Sequence, residues 1–513
     1  LYSKVHSIGI IGIEGVPILV EADVSDGLPG FSMVGYLSSQ VKEAQDRVRT
    51  AIKNSGFRIP AKKITINLSP ADIRKEGTAF DLPIAIAILS ASGMIASSGL
   101  SDCVFSGELG LDGTVKPVRG ALSIALAAKK DGKTTCYLPR ENRGEGSVTN
   151  GIRIVGLNNL KELTDYLNGG KKLPDLPTDH TVPGSAGKSY DVDFSDIGGQ
   201  PFLRRATEVA VAGMHNIMYI GPAGTGKTMF ASRIPTIMPS LSWEEIMEIS
   251  KIYSVCGLLS GENPVMDIRP FRSPHHTITS QALAGGGRIP KPGEITLASG
   301  GVLFLDEFSE FQKSTIEILR QPLEEGEITI SRTHGSYIFP AKFLLAAAMN
   351  PCPCGFYPDR TRCRCSVSQV NKYLGRISKP ILDRIDICAQ SSPVSYEELQ
   401  QGEKGESSAS IRNRIEQARS MQLKRFRGTG IRFNSFMKKP DLERFCILDK
   451  KETSFLKQIY ESMGLSVRGY EKILKLARTI ADLESSEKIT KVHLAEAAGL
   501  RSREGSFWGG IYG

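Results

Sequence analysis

Between the apolar run Asn216-Ile217-Met218-Tyr219-Ile220 and a helical run from Met229 to Ile234 lies Gly221-Pro222-Ala223-Gly224-Thr225-Gly226-Lys227-Thr228. No other stretch restricts the fold as tightly. The spacing is that of a phosphate-cradling loop, which needs a buried parallel strand before it and a helix N-terminus after it. The glycines let backbone N–H groups close around phosphate oxygens, and the helix start adds partial positive charge. Lys227 is placed to reach the β- and γ-phosphates and Thr228 to hold Mg²⁺. The chain is expected to bind a nucleoside triphosphate, ATP, through Gly221 to Thr228, with Mg²⁺.

A second signature follows in Gly300-Gly301-Val302-Leu303-Phe304-Leu305-Asp306-Glu307. Four apolar residues predict a buried strand with two carboxylates at its C-terminal end, where α/β sheets place ligands. Alone, such a run could simply end a strand. Paired with the glycine loop, it assigns Asp306 to Mg²⁺ through its waters and Glu307 to polarising the attacking water. Phe343 to Met349 predicts a third buried strand, ending at Asn350.

At 513 residues the chain is too long for one core and suggests about three domains. The N-terminal part mixes strands (Val5 to Val24, Lys63 to Leu68) with helices (Ser38 to Asn54, Leu82 to Ser92), an α+β pattern. Residues 169–190, rich in Gly, Lys and Pro, read as a linker. From about Ile411 to Arg503 the pattern is helical. There Lys424, Arg425, Arg427, Arg432, Lys438 and Lys439 interleave with Phe426, Phe433 and Phe436. That mixture suits nucleic acid and suits a solvated face over a small core equally.

Cys352-Pro353-Cys354 and Cys363-Arg364-Cys365 place four thiols in two close pairs. The pattern reads as a closed, structural Cys₄ zinc site, with free or redox-active cysteines as the alternative. His275-His276 is better suited to a structural or interface role than to metal, because adjacent side chains rarely ligate one ion together. Glu327 to Arg332 and Tyr337 to Phe339 predict a hairpin, with Arg332 at its tip suited to a phosphate contact.

Two resemblances follow from these residues. Lys75-Glu76-Gly77-Thr78-Ala79-Phe80-Asp81-Leu82 with Gly107-Glu108-Leu109-Gly110 through Val118 resembles the Lon-protease-type (ribosomal S5-like) domain. The serine and lysine positions of that family's catalytic pair fall on Ala79 and Leu122, so peptidase activity is not expected. Taken end to end, from Gly27-Leu28-Pro29 through the glycine loop, Pro274-His275-His276-Thr277, the cysteines and Arg468 to Trp508-Gly509, the chain resembles the YifB/ComM family of magnesium-chelatase-like AAA+ ATPases. Ser299 departs from the pattern, which carries a histidine there.

That resemblance implies a Lon-like domain over 1–168, the linker 169–190, a P-loop AAA+ core over 191–392 with a Cys₄ insertion, and an all-α lid over 393–513. It implies that Asn350 is sensor 1, orienting the water, and that Gly198-Gly199-Gln200 sits by the adenine. It implies that Arg384 is an arginine finger facing a neighbouring subunit, with Arg376 the competing candidate and a salt bridge to Asp383 or Asp386 the bland alternative. Arg468 matches sensor 2, reaching the nucleotide from the lid, and is otherwise a surface arginine. A trans-acting arginine implies a ring, expected to be a hexamer. The ComM branch implies a DNA branch-migration helicase in recombination or natural transformation, acting on branched or single-stranded DNA. A protein-remodelling or scaffold ATPase is the alternative, and a metal-chelatase motor subunit a weaker one.

Composition agrees with a polyanionic partner without requiring one: net charge is +9 and the isoelectric point about 9.0. No apolar run of 18 residues marks a membrane span and no secretion signal is read, so a cytoplasmic protein without a membrane partner is expected. The chain opens on Leu1, so a few residues of the natural start are expected to be missing.

Overall fold

The computed structural model describes residues 1–170, 190–260, 263–288, 290–332, 335–392 and 405–512, which form two compact units. The linker expected at 169–190 lies, but for its ends, outside the described residues, as does the start of the lid expected over 393–513.

The first unit takes in the described residues of Leu1–Gly184 together with Ser242–Asp267 and Ile330–Tyr337. Its seven-stranded mixed sheet runs Gly30–Val34, Lys63–Ser69, Glu14–Ser25, Tyr2–Ile11, Cys103–Phe105, Thr135–Pro139, Arg153–Leu157. The alternating stretch Val5 to Val24 is not one strand but an antiparallel hairpin, pairing Ile11 with Glu14 and Val5 with Val20. The left-handed backbone of Gly12 (φ 63°) makes the turn, and side-chain alternation alone cannot reveal it. The helix Asp81–Ala91 packs on these two strands and is buried on every side but Ser90, as its unbroken apolar sequence requires.

Trp243–Cys256, which the sequence places inside the ATPase core, groups with this first unit. Ser242 and Glu245 cap it reciprocally, and Gly257 closes it in the left-handed conformation. It packs on Ala121–Lys130, where the Gly120 N–H donates to the Ser254 carbonyl at 3.0 Å and Glu145 accepts from both the Leu122 N–H and the Ser254 hydroxyl.

The second unit is built on a five-stranded, wholly parallel sheet ordered Phe271–Arg272, Val302–Leu305, Leu344–Met349, Ile217–Ile220, Ile387–Gln390. The strands are short, continuous apolar runs because helices cover both faces. The first strand in sequence sits between the fourth and fifth, so a topological switch point lies beside Ile217–Ile220. Register aligns Ile220 with Met349 and Leu305 with Ala347, and therefore carries Gly221, Asp306 and Asn350 to one edge.

The helices Ser408–Arg425, Lys439–Phe445, Lys450–Ser462, Val467–Leu483 and Lys491–Tyr512 form the C-terminal helical region. Ile411, Ile415, Ile473, Leu476 and Ile480 share one apolar core with Leu203, Ile217 and Phe230 of the α/β part. The basic, aromatic stretch resolves toward the bland reading at three of its residues. Phe426 and Phe433 are buried, and Arg425 is paired with buried Asp482. Arg419, from the preceding turn, lies 3.9 Å over the Phe433 ring. No helix among the described residues is long and apolar enough to cross a membrane.

Candidate nucleotide site and cysteine cluster

The glycine loop joins strand Ile217–Ile220 to helix Lys227–Ile237. Gly226 takes φ 84°, which a side chain would strain. At Gly221 a Cβ would stand 1.9 Å from the Ser391 hydroxyl, so only glycine lets the loop pass beside the neighbouring strand's end. The Lys227 ammonium donates to the Gly221 and Pro222 carbonyls at 2.7 Å each and to Asn350 Oδ1 at 3.2 Å. Burial pushes its pKa down to about 8, against a smaller opposing pull from Asp306. A buried cation held by neutral oxygens is a fit for a polyanion.

Thr228 donates from its hydroxyl to Asp306 Oδ2 at 2.8 Å. A hydroxyl and a carboxylate this close form an oxygen pair suited to Mg²⁺, which takes few protein ligands beside phosphate and water. Both residues line a cavity of about 500 Å³ with Lys227, Glu307, Asn350 and Arg376. The loop, the two carboxylates and Asn350, scattered over 130 residues of sequence from Gly221 to Asn350, thus meet at the edge that the register predicts.

The other two arginines do not meet there. Arg384 and Arg468 both pair with Glu324, Arg468 at 2.8 Å, and neither lines the cavity. Arg384 also donates to the Pro380 carbonyl at 2.6 Å, and its acidic partner is neither Asp383 nor Asp386. Arg468, expected to reach the nucleotide from the lid, is instead seen paired with Glu324. The helix it opens points its first turn at Glu324, on the helix Arg320–Glu325. Arg376, by contrast, lines the cavity and pairs with Glu310 at 2.9 Å. Gln200 bonds Ser392 just beyond the strand Ile387–Gln390.

The four cysteine sulfurs lie within 4.8 Å of one another, with Cys352 to Cys354 at 3.3 Å, Cys352 to Cys363 at 3.8 Å and Cys354 to Cys363 at 3.6 Å. Tetrahedral zinc with bonds near 2.3 Å needs S–S edges of about 3.8 Å, whereas a disulfide needs about 2 Å. The donor set fits zinc. Purified protein is expected to carry about one zinc per chain by elemental analysis, lost in Cys352→Ser and Cys363→Ser. Pro353 lines the nucleotide cavity and Gly355 lies against the glycine loop, so chelation should also weaken ATP binding several-fold. Metal-free protein with undiminished ATP affinity would sink both statements.

Sequence reasoning missed one contact. His276 Nδ1 stands 3.1 Å from Glu307 Oε2, and the His275 ring lies tilted against His276 with ring centroids 4.1 Å apart. No regular spacing signals it. The hint available was the position of the two histidines just after a strand that pairs with Val302–Leu305.

Family models match most of the chain: magnesium chelatase, subunit ChlI, over residues 193–399; subunit ChlI of Mg-chelatase over 20–142; and the magnesium chelatase subunit ChlI C-terminal region over 405–501. The competence protein ComM of Haemophilus influenzae is 43% identical over 503 residues, covering 97% of this chain and 97% of its own. The YifB protein of Escherichia coli is 42% identical over 502 residues, covering 98% and 97%. A Lon protease of Mycolicibacterium smegmatis is 28% identical over 142 residues, 26% of this chain and 18% of its own.

Proposed function

The chain belongs to the magnesium chelatase subunit ChlI family as a full-length relative of ComM and YifB, and from that premise we propose that it is an ATP-hydrolysing ring motor translocating on DNA. Family membership implies ATP hydrolysis. The observation that carries the residue assignment is the meeting of Lys227, the Thr228–Asp306 pair and Asn350 at one sheet edge. Lys227 binds the phosphates, Thr228 and Asp306 hold Mg²⁺, and Asn350 and Glu307 set the attacking water. Mg²⁺ held by Thr228 and Asp306 would supply Lewis-acid neutralisation of the negative charge on the phosphates. Arg384 and Arg468, gathered at Glu324 away from their own cavity, serve the nucleotide of an adjacent subunit in a hexamer.

The DNA substrate rests on the net charge of +9 and on similarity to a competence protein. The finer reading is branch migration in recombination or natural transformation. The first unit is read as a Lon-like domain without peptidase chemistry, since Ala79 and Leu122 stand where that chemistry needs serine and lysine. A protein-remodelling role is the second reading, favoured by one observation: the aromatic residues of the basic C-terminal stretch are largely spent on the core.

The test is steady-state ATPase activity with no DNA, single strand, duplex and a four-way junction, beside Lys227→Ala. Stimulation of several-fold by DNA, greatest with the junction and absent in Lys227→Ala, is expected. A rate indifferent to every DNA would remove the DNA reading and leave the remodelling one.

A further inference from the structure

We infer that His276 is a positioning residue for Glu307, holding one carboxylate oxygen so that the other faces the nucleotide cavity. The inference rests on the reading of Glu307 as the group that polarises the attacking water. Topology places the two side by side. Phe271–Arg272 pairs in parallel with Val302–Leu305, matching Arg272 with Leu303, so both chains leave the sheet at the same edge. Arg272 anchors the departing loop through two bonds to Glu294, at 2.6 and 2.7 Å. A turn closed by the Ile278 N–H on the His275 carbonyl, at 2.9 Å, brings the histidines round. The His276 ring contacts the tilted His275 ring, centroids 4.1 Å apart, and meets buried Phe311 edge-to-face, 6.4 Å between centroids.

Glu307 needs such a partner. Its side chain is 62% exposed, and its backbone takes φ 51°, a left-handed conformation that glutamate adopts at a cost of order 1 kcal/mol. The backbone N–H turns back to Asp306 Oδ1 at 2.8 Å. Among the described residues His276 is the one side-chain partner found for its carboxylate, at 3.1 Å from Oε2. The contact is attractive when Nδ1 carries a proton, in the Nδ1–H tautomer or the imidazolium, because an ionised carboxylate can only accept. The surrounding cavity holds Asp306, Glu310, Lys227 and Arg376. An unrestrained carboxylate there would turn away from the first two and toward the cations. Imidazole anchoring prevents that collapse.

The variants His276→Ala, His276→Asn, Glu307→Gln and the double His276→Ala/Glu307→Gln, in the full chain, decide it. Turnover, KM for ATP, the Kd for Mg²⁺ with a fluorescent ATP analogue, and Tm are measured for each. His276→Ala is expected to lower kcat by on the order of 10-fold or more, with KM, Kd and Tm within error of wild type. His276→Asn should recover most of that loss, since its amide nitrogen can occupy the place of Nδ1. The double variant should turn over no more slowly than Glu307→Gln alone. Wild-type kcat in His276→Ala overturns the inference, as does a loss that tracks Kd or Tm or persists on top of Glu307→Gln. Undiminished turnover in Glu307→Gln overturns the assignment of Glu307 itself, a separate failure.

Discussion

Two inactive variants, Lys227→Ala and Arg384→Ala, are expected to recover ATP hydrolysis when mixed. Arg384 lies outside the cavity of its own subunit, held by Glu324 and the Pro380 carbonyl. Its alanine variant should therefore bind ATP normally yet lose turnover by about 10³-fold, the scale of a missing arginine finger. Lys227→Ala should fail earlier, at nucleotide binding, because the loop loses its only inward ammonium. In a head-to-tail ring each catalytic site combines one subunit's loop with its neighbour's arginine. Random mixing of the two variants then gives about a quarter of sites an intact Lys227 facing an intact Arg384. Activity should rise toward that fraction as the subunits exchange, measured by phosphate release against mixing ratio. A mixture that stays inactive would place the catalytic arginine within the subunit, and Arg376, already lining the cavity beside Glu310, would take its place.

The same contrast shows what the sequence could convey. The strands that carry Gly221, Asp306 and Asn350 are legible because each is a short apolar run broken abruptly by a polar residue. A parallel sheet covered on both faces requires that pattern. The cysteine cluster is legible because its ligands are close in the chain. Partners far apart in sequence are not. Glu324 gathers Arg384 and Arg468 from 60 and 144 residues away, and a motif match assigns each arginine a role without revealing that they share a carboxylate. His276 meets Glu307 through the pairing of a two-residue strand, too short to leave a periodic signal. The helix Trp243–Cys256 joins the first unit although its neighbours in sequence belong to the second. Its capping box and apolar face announce a helix, but nothing in them says which core it covers. Phe426 and Phe433 illustrate the remaining ambiguity: aromatic residues among arginines suit both a nucleic-acid face and a core edged by cation–π contacts.

Asp386 carries the largest expected effect on stability. It accepts from the Asn216 N–H at 2.9 Å, pairs with Lys472 at 2.9 Å and faces buried His215 at 3.8 Å, joining the sheet to the helix Val467–Leu483. Burial alone would push its carboxyl up, but Lys472 and His215 outweigh that and hold it far below the usual carboxylate range. Lys475, itself depressed by burial, faces the same group. Asp386→Ala would leave the Asn216 N–H without its acceptor and Lys472 with the Ile385 carbonyl but without this counter-charge, at a cost of about 3–5 kcal/mol. Asp386→Asn keeps an acceptor for the N–H and should lose less. Trp508, whose indole donates to the Leu374 carbonyl inside the second unit, reports its unfolding by fluorescence in a Trp243→Phe background. Acid sharpens the test. Burial holds His215 below its ordinary pKa of 6.5, so the unfolded chain takes up that proton first and stability falls as pH drops through and below 6.5. Asp386, with its depressed pKa, contributes above its ordinary value of 3.8, and that contribution is lost as pH falls further toward its folded-state value. Wild type should thus weaken in two stages on acidification. Asp386→Ala should show a deeper first stage, because the carboxylate that opposes burial at His215 is gone, and a smaller second stage, to which depressed Glu406, Asp193 and Asp196 still contribute. A variant as stable as wild type at neutral pH, or one whose second stage is undiminished, would mean that the Asp386 cluster does not hold the helical region to the sheet, leaving that to apolar packing and to pairs such as Arg414–Glu208 and Arg205–Glu496.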